Sequence, residues 1–514
     1  MLPIDALYRG LAINPDGIAL EGDGESLTYR ALVGQVEALA AAFQQRLPHP
    51  QARIAICGAN SFAHVVAILA CHLSGNVWVA VSARAGKLEN EALLGAVVPD
   101  LVVADEDLFD RLPDIGVPTI RLTAANGGPG SDTVAGLIAA NAGRRPARPL
   151  LDPETDLQAI KFTGGSTGRP KAVAQPYRVG VTLIGSFLAT FQFRTDDCQL
   201  AAAPVSHASF VFMLPLFAVG GRNIVLPGPD PDRVLDAFAN RGVTTMFMPP
   251  TMIYRVMAHP KAVPGRFPGL RHLYYSAAPM PAEKIPEVQH VFPNALETLY
   301  GQTEASSICT AMTVAEMNRP ENHGSVGRAS PMMRVEIMDL DGNLLPPGAE
   351  GEVVVRGGLV MQGYLGNSEA TADTIRGGWL HTGDGGLIDE RGYLWLKDRL
   401  RDVIISGGFN VYPTDVEGAL GLHPAVYEST VFGCRDDFWG ERVEAAVQLR
   451  PGSTATPAEL QAFVRERLGA VKSPKIVHFV DELPRSSVGK VLRRELRARY
   501  DTTERKTLSV TGRK

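Results

Sequence analysis

Cysteine is scarce in this chain. Its 514 residues hold five, Cys57, Cys71, Cys198, Cys309 and Cys434, scattered without paired metal-ligand spacing. That excludes a disulfide framework and a thiolate-held structural metal, and suits a reducing cytosol. An excess of positive charge is also missing. The net charge of −5 leaves no global basic field, so nucleic acid is not an expected partner. The opening MLPIDALYRG has no basic segment followed by an apolar run, so no secretory signal is expected and the expected location is cytoplasmic. Long apolar runs are lacking too. The uncharged stretch Ala63 to Ser82 is interrupted by His64, His72 and Ser74-Gly75-Asn76, which predicts a buried helix followed by a buried strand rather than a membrane span. No internal repeat is present.

What is present is a globular composition, 45% apolar and 20% charged, on a chain too long for one core, so two or more domains are expected. Leu27 to Gln45 has helical spacing of apolar residues. Arg53 to Cys57 reads as a strand, Phe62 to Leu73 as a helix, and Val77 to Val81 and Leu101 to Val103 as strands. This alternation predicts βαβ units on a mainly parallel sheet. Further on, a helix is expected over Gly180 to Phe191, strands over Asn223 to Leu226 and Thr244 to Met248, and a helix between them over Pro231 to Arg241. Leu273 to Tyr275 reads as a strand running into Ala277-Ala278-Pro279. From Gly327 to Val355 the signals become short strands and turns, a small β subdomain. Beyond about Leu400 the elements shorten and Arg and Lys cluster, which suggests a small C-terminal domain.

The stretch Phe162 to Val173, FTGGSTGRPKAV, organises the rest. Thr163 to Gly168 holds three glycines, two threonines and a serine. Glycines let the main chain approach a ligand closely, and successive N–H groups in such a loop form an anion-binding nest. The hydroxyls of Thr163, Ser166 and Thr167 add donors and Lys171 adds a mobile cation. Composition alone also allows a plain surface turn. A Walker A loop is excluded, because Gly168 is followed by Arg169-Pro170 and Lys171 by Ala172. Four other segments carry candidate chemistry. Tyr300 to Glu304 (YGQTE) places a carboxylate after a glycine turn, where a hard cation shared with phosphates could sit. In Thr382-Gly383-Asp384 a carboxylate beside a glycine could accept two bonds from a ribose diol. Asp398 to Asp402 (DRLRD) and Leu483 to Val491 (LPRSSVGKV) are basic segments near the end of the chain.

In this order these segments resemble the acyl-adenylate-forming enzymes: acyl-CoA synthetases, peptide-synthetase adenylation domains and firefly luciferase. The resemblance covers essentially the whole chain. Gly164 and Ser166 stand where the family's phosphate loop has Ser and Thr. The resemblance implies an α/β fold. Its large N-terminal domain, residues 1–400, would have stacked mixed sheets with flanking helices and a small β subdomain. A small α+β domain, residues 401–514, would follow on a hinge at Arg401. It implies that Thr163, Gly165, Ser166, Thr167, Gly168 and Lys171 hold phosphate and that Ala277 and Ala278 form the adenine-side turn. Tyr300 would pack on the adenine beside Gly301, Thr303 would touch phosphate, and Glu304 would bind Mg²⁺. Asp384 and Arg399 would contact ribose, with Gly407 and Gly408 continuing the hinge motif, and Lys490 would be the catalytic lysine. Trp439 and Lys475 fall at places comparable to residues that contact coenzyme A in relatives, although Val471 and Ser473 replace the Phe and Arg of some of them. His207, Ser209 and Leu299 would line the acyl pocket.

The implied reaction is ATP-dependent activation of a carboxylic acid to acyl-AMP, then transfer to coenzyme A. Two rivals stand beside it. One is loading of a carrier-protein phosphopantetheine acting in trans, and the other is a catalytically inactive nucleotide-binding protein. The retained Thr163, Lys171, Glu304, Asp384 and Lys490 argue against the second. Ala201 to Phe212 holds only small and apolar side chains besides His207, with no cation for a second carboxylate. The expected substrate is therefore a neutral-tailed monocarboxylic acid of modest size. Monomer and homodimer are both compatible with the sequence.

Overall fold

The computed structural model describes residues 2–22, 24–123, 131–163, 170–399, 402–436, 438–485 and 491–501, and for residues 398, 399 and 410 the backbone alone. It divides into two compact units. The first comprises Met1–Glu336, Val354–Thr382 and Glu390–Leu394; the second comprises Ile337–Val353, Gly383–Asp389 and Trp395–Lys514. Among the described residues no helix is long and apolar enough to cross a membrane.

Two large sheets build the first unit. The strands of one lie in the order Gly363–Tyr364, Lys171–Pro176, Leu157–Thr163, Val77–Val81, Arg53–Cys57, Leu101–Ala104, Thr119–Arg121. From Leu157–Thr163 onward the neighbours are parallel. Val77–Val81 is buried at every position, as a strand covered on both faces must be. The expected helix and strand across Ala63 to Ser82 are there, Phe62–Ser74 and Val77–Val81. Ser61 caps that helix by accepting from the His64 N–H at 3.2 Å. One feature differs from the sequence reading. The chain leaving the glycine-rich segment does not pass directly to a helix. It returns as the strand Lys171–Pro176, antiparallel to Leu157–Thr163, with Thr163 opposite Lys171. The helix then runs over Tyr177–Thr190.

The second sheet has nine strands, in the order Arg328–Ala329, Thr310–Met312, Leu296–Tyr300, His272–Tyr275, Thr245–Phe247, Cys198–Ala201, Arg222–Val225, Ile18–Glu21, Ser26–Thr28. The central strands from Leu296–Tyr300 to Ile18–Glu21 are parallel. A continuous apolar core connects the two sheets. It runs from Ile54, Trp78 and Val103 through the helices Tyr29–Arg46, Phe62–Ser74 and Phe210–Val219 to Leu20, Ala201 and Val225. Phe217 sits at its centre, fully buried, with Tyr29 edge-on to its ring at 6.1 Å between centroids. The Tyr29 hydroxyl donates to the Gly221 carbonyl at 2.6 Å, so burial leaves it satisfied.

In the second unit, a five-stranded sheet pairs the long strands Val426–Asp436 and Gly440–Leu449 antiparallel. Ile404–Ser406 and Ile476–Phe479 also pair with Gly440–Leu449, and Phe409–Val411 pairs with Ile404–Ser406. Helices Pro413–Gly421 and Pro457–Lys472 bury Val416, Leu420, Leu460 and Val464 against this sheet. Within the expected short strands and turns of Gly327 to Val355, the Asp339 carboxylate holds a turn by accepting from the Asp341 and Asn343 N–H groups at 2.9 and 2.8 Å.

The core between the two large sheets should carry the first unit's stability. Phe217→Ala removes a fully buried ring there, and large-to-small core substitutions of this kind cost about 3–5 kcal/mol. Urea unfolding followed by tryptophan fluorescence should show an early loss of that size. A loss below about 1 kcal/mol would mean that this core is not what holds the unit together.

Candidate active site

Parallel pairing puts the site together. The strands Cys198–Ala201, Thr245–Phe247, His272–Tyr275 and Leu296–Tyr300 all run the same way, so their carboxyl ends open on one edge of the sheet. From Cys198–Ala201 the chain goes to Arg222–Val225 on one side and then crosses to Thr245–Phe247 on the other. Connections that depart in opposite directions leave a crevice at the carboxyl ends, the usual ligand position in open α/β sheets. The segments emerging there carry His207, Ala277 with Ala278, and Gly301 to Glu304. Ala277 is held at φ +71°, a left-handed conformation that is costly for a residue with a Cβ and that clusters at ligand sites.

The Gly301 to Ser307 turn is tightly constrained. Gln302 N–H donates to the Ala305 carbonyl at 2.8 Å, and the Gln302 side-chain amide donates to the Thr382 carbonyl at 2.9 Å. The Gln175 amide donates to the Thr303 carbonyl at 2.8 Å, and the Met361 N–H to the Glu304 carbonyl at 2.8 Å. A Cβ on Gly301 would fall 2.6 Å from the Ser307 nitrogen, so only glycine lets the turn close this tightly. Glu304 then accepts from the Tyr364 hydroxyl at 2.9 Å, and the Lys171 Nζ lies 4.6 Å from the centroid of the Tyr364 ring. Thus Lys171, Tyr364 and Glu304 form one half-buried cluster. Sequence reasoning found Lys171 and Glu304 but missed Tyr364. Tyr364 reaches the cluster by adding the strand Gly363–Tyr364 to Lys171–Pro176, a pairing nearly two hundred residues apart with no local signal.

The donor set fits a hard divalent cation in a restricted way. No group of three or more His, Cys, Asp and Glu able to hold a metal is present among the described residues. Glu304 offers one carboxylate, already oriented by Tyr364. Mg²⁺ is commonly held by one or two carboxylates together with substrate phosphates rather than by an all-protein cage.

The residues expected to line the acyl pocket are all near this edge but do not all open into it. His207 lies in a π-helical turn, Val205–Ser209, with its Nδ1 2.8 Å from the Ser206 hydroxyl. Burial, and then Lys161, His64 and Arg84, push its pKa down to about 4, so it is a neutral imidazole at pH 7. Ser209 is buried and its hydroxyl donates to the Ala203 carbonyl at 2.7 Å. Leu299 is buried within its strand. Nearby lies a small cavity of about 30 Å³, room for about one water, whose walls include Trp78, Lys161, Gln175, Phe210, Leu214 and Ser306. Its cation, Lys161, comes from the strand Leu157–Thr163; the Ala201 to Phe212 segment itself holds none.

Asp384 falls in the second unit, half-buried inside the strand Trp379–Ile388. Also in that unit, Gly407, Trp439 and Lys475 come together. The Lys475 Nζ is 5.4 Å from the centroid of Trp439, and the Gly407 N–H donates to the Trp439 carbonyl at 2.7 Å. A Cβ on Gly407 would lie 2.8 Å from the Trp439 ring. Gly408 follows in the same turn, and the exposed Phe438 stands edge-on to Trp439 at 5.0 Å. Gly165, Ser166, Thr167, Gly168, Arg401 and Lys490 lie outside the described residues, as does the Arg399 side chain.

Comparison with known proteins fits this geometry. Residues 8–365 match the AMP-binding enzyme family and residues 415–490 the AMP-binding enzyme C-terminal domain. A feruloyl-CoA synthase from an Amycolatopsis species is 34% identical over 506 residues, 96% of this chain and 98% of that protein. Among solved structures, the amide bond synthetase McbA from Marinactinospora thermotolerans superposes with a TM-score of 0.87 at 30% identity, covering 97% of this chain and 100% of that one. ATP-bound MatB from Rhodopseudomonas palustris gives a TM-score of 0.88 at 28% identity, covering 98% and 100%. Matched along most of its length by both family models, the chain belongs to the AMP-binding enzymes and is an acyl-adenylate-forming enzyme of the acid–CoA ligase type.

Proposed function

We propose that the protein converts a carboxylic acid and ATP to acyl-AMP and pyrophosphate, and then passes the acyl group to coenzyme A with release of AMP. The observation that carries this reading is the convergence of Lys171, Tyr364 and Glu304 beside the carboxyl ends of the parallel strands. In the first half-reaction a carboxylate oxygen bonds to the α-phosphorus and the bond to the β-phosphate bridge breaks, with pyrophosphate leaving. Two anions must meet, so the site has to supply positive charge where it develops. Lys171 does so just past the glycine-rich segment, with Thr163 opposite it, and Gly165, Ser166, Thr167 and Gly168, which lie between them in sequence, hold phosphate. Lys490 bridges the attacking oxygen and the α-phosphate. Ala277, Ala278, Tyr300 and Gly301 take the adenine, Thr303 the phosphate, and Asp384 and Arg399 the ribose.

Glu304 is the residue that would hold Mg²⁺, which when bound neutralises charge on the departing pyrophosphate. Neutral His207 lines the acid's path rather than moving a proton. In the second half-reaction the thiol sulfur bonds to the acyl carbon, the carbon–oxygen bond to AMP breaks, and the thiol proton leaves to solvent. Trp439 and Lys475, with Gly407 and Gly408 behind them, form an aromatic and cationic platform suited to the coenzyme A nucleotide. Residues 1–400 act as the adenylate-forming domain, and residues 401–514 turn about Arg401 between the half-reactions. The five cysteines are free and buried, in keeping with a cytoplasmic enzyme.

The direct test is purified protein with ATP, a mixed acid panel and coenzyme A, read by acyl-CoA mass and AMP release. Coenzyme-dependent AMP release is expected. Release that instead requires a phosphopantetheinyl carrier protein or an amine would move the second half-reaction to that acceptor. Absence of pyrophosphate exchange with every acid would make the protein an inactive nucleotide binder.

Two substitutions test the roles. Tyr364→Phe removes the hydrogen bond that orients Glu304. Bonds to charged groups contribute about 1.5–3 kcal/mol, so kcat for adenylation should fall roughly 10- to 100-fold with the Tm little changed. An unchanged kcat would separate Glu304 from the chemistry. Lys490→Ala should abolish acyl-AMP formation, a loss of about 3–4 kcal/mol or more in transition-state stabilisation. Thioester formation from supplied acyl-AMP should persist. Equal loss of both half-reactions would remove Lys490 from the adenylation role.

A further inference from the structure

The peptide linking Thr382 to Gly383 is held by side chains at both of its polar atoms. The Thr382 carbonyl accepts from the Gln302 amide at 2.9 Å, and the Gly383 N–H donates to the Glu352 carboxylate at 3.0 Å. Glu352 is half-buried, 31 residues earlier in the chain, near the start of the strand Gly351–Gly357. That strand is the sheet neighbour of Trp379–Ile388. Glu352, Gly383 and Asp384 all belong to the second unit.

The Glu352 bond falls where the strand departs from regular geometry. Gly383 has φ +71° inside Trp379–Ile388. An extended strand sends successive side chains to opposite faces, and a left-handed residue breaks that alternation and re-aims the side chain that follows. Here the side chain that follows is Asp384. A Cβ on Gly383 would meet nothing within 4 Å, so the position needs glycine for its backbone conformation and not for room. Such a conformation inside a strand persists only where its surroundings hold it. A bond from a backbone N–H to a carboxylate is charge-assisted, roughly twice as strong as one to a neutral acceptor. Glu352 therefore fixes the peptide plane immediately before Asp384.

Resting on the reading of Asp384 as the ribose ligand, we propose that Glu352 is a positioning residue for nucleotide recognition. It acts by holding the Gly383 peptide so that the Asp384 carboxylate faces the ribose diol. Accepting two bonds from a diol requires the carboxylate to be set in one orientation. A loosened peptide before Asp384 weakens ribose recognition even though Asp384 is still present.

Equilibrium binding to the full-length enzyme tests this whatever acid the enzyme takes. Isothermal titration compares MgATP with its 2′-deoxy and 3′-deoxy forms. The unsubstituted enzyme should prefer ATP by roughly 10- to 100-fold, the range for hydrogen bonds to a charged group. Asp384→Ala should bring that preference close to one. Glu352→Ala should lower it by roughly 5-fold or more, the effect of one orienting hydrogen bond. Glu352→Gln, whose amide oxygen still accepts from the Gly383 N–H, should keep most of it. The double variant should lose no more than Asp384→Ala alone, because both changes act through one carboxylate. Tm is measured for every variant. If Glu352→Ala does not fold, Glu352→Asp, which withdraws the carboxylate by one methylene, is read by the same ratio. A Glu352 variant that weakens ATP and both deoxy forms by one factor places Glu352 in the fold alone and overturns the proposal. Additive losses in the double variant make Glu352 an independent nucleotide contact and overturn it too. A preference lost in Asp384→Ala but unchanged in the Glu352 variants sinks this inference and leaves the ribose reading standing. If Asp384→Ala keeps the preference, both fall.

Discussion

Parallel strand pairing is the constraint on which the site depends. Once Cys198–Ala201, Thr245–Phe247, His272–Tyr275 and Leu296–Tyr300 hydrogen-bond in the same direction, their exits must share one edge. Residues as distant as His207, Ala277 and Glu304 then reach one place without any specific contact between them. Parallel strands buried on both faces need long crossovers, and these are the helices that form the core between the two sheets. The same burial therefore supplies stability and fixes the catalytic edge.

Strain and tight approach are concentrated at that edge. Ala277 keeps a left-handed backbone, Gly301 accepts a closure that no Cβ would allow, and Gln175, Gln302 and Met361 tie the Glu304 turn to three other segments. A carboxylate held this way is already oriented, and such preorganisation is the condition for electrostatic stabilisation in a reaction that brings two anions together. The polar groups deeper in the first unit behave differently. Asp197 is buried but paired with Arg271 and bonded by Thr244. Glu297 is buried against His272 at 2.9 Å. Among the described residues Lys161 has no carboxylate partner, and its ammonium lies 5.6 Å from the Trp78 ring centroid.

Much of the chemistry was legible because it is local. The glycine-rich segment, YGQTE, Thr-Gly-Asp and the basic segments keep their residue types within a few positions, since an oriented carboxylate or a run of backbone donors needs one short stretch of backbone. The helix at Phe62 and the strand at Val77 were readable for a related reason, as continuous apolar runs interrupted by a turn. The antiparallel return at Lys171 was harder, because the alternation Lys-Ala-Val-Ala-Gln reads equally well as an approach to the helix that follows.

The surroundings of His207 were least legible. Searching around His207 assumed that neighbours in sequence are neighbours in space. Ser209 instead turns its hydroxyl back to Ala203, and Leu299 stays within its strand. The cavity is walled by Trp78, Lys161 and Phe210, from three separate elements. By itself, the order of residue types determined the family and the α/β class, because both rest on motifs and patterns that are local in sequence. Only the tertiary structure decided that Tyr364 orients Glu304 and that Lys161 and Trp78 share one cavity wall, because both depend on which distant strands pair and which face of each pleat turns inward.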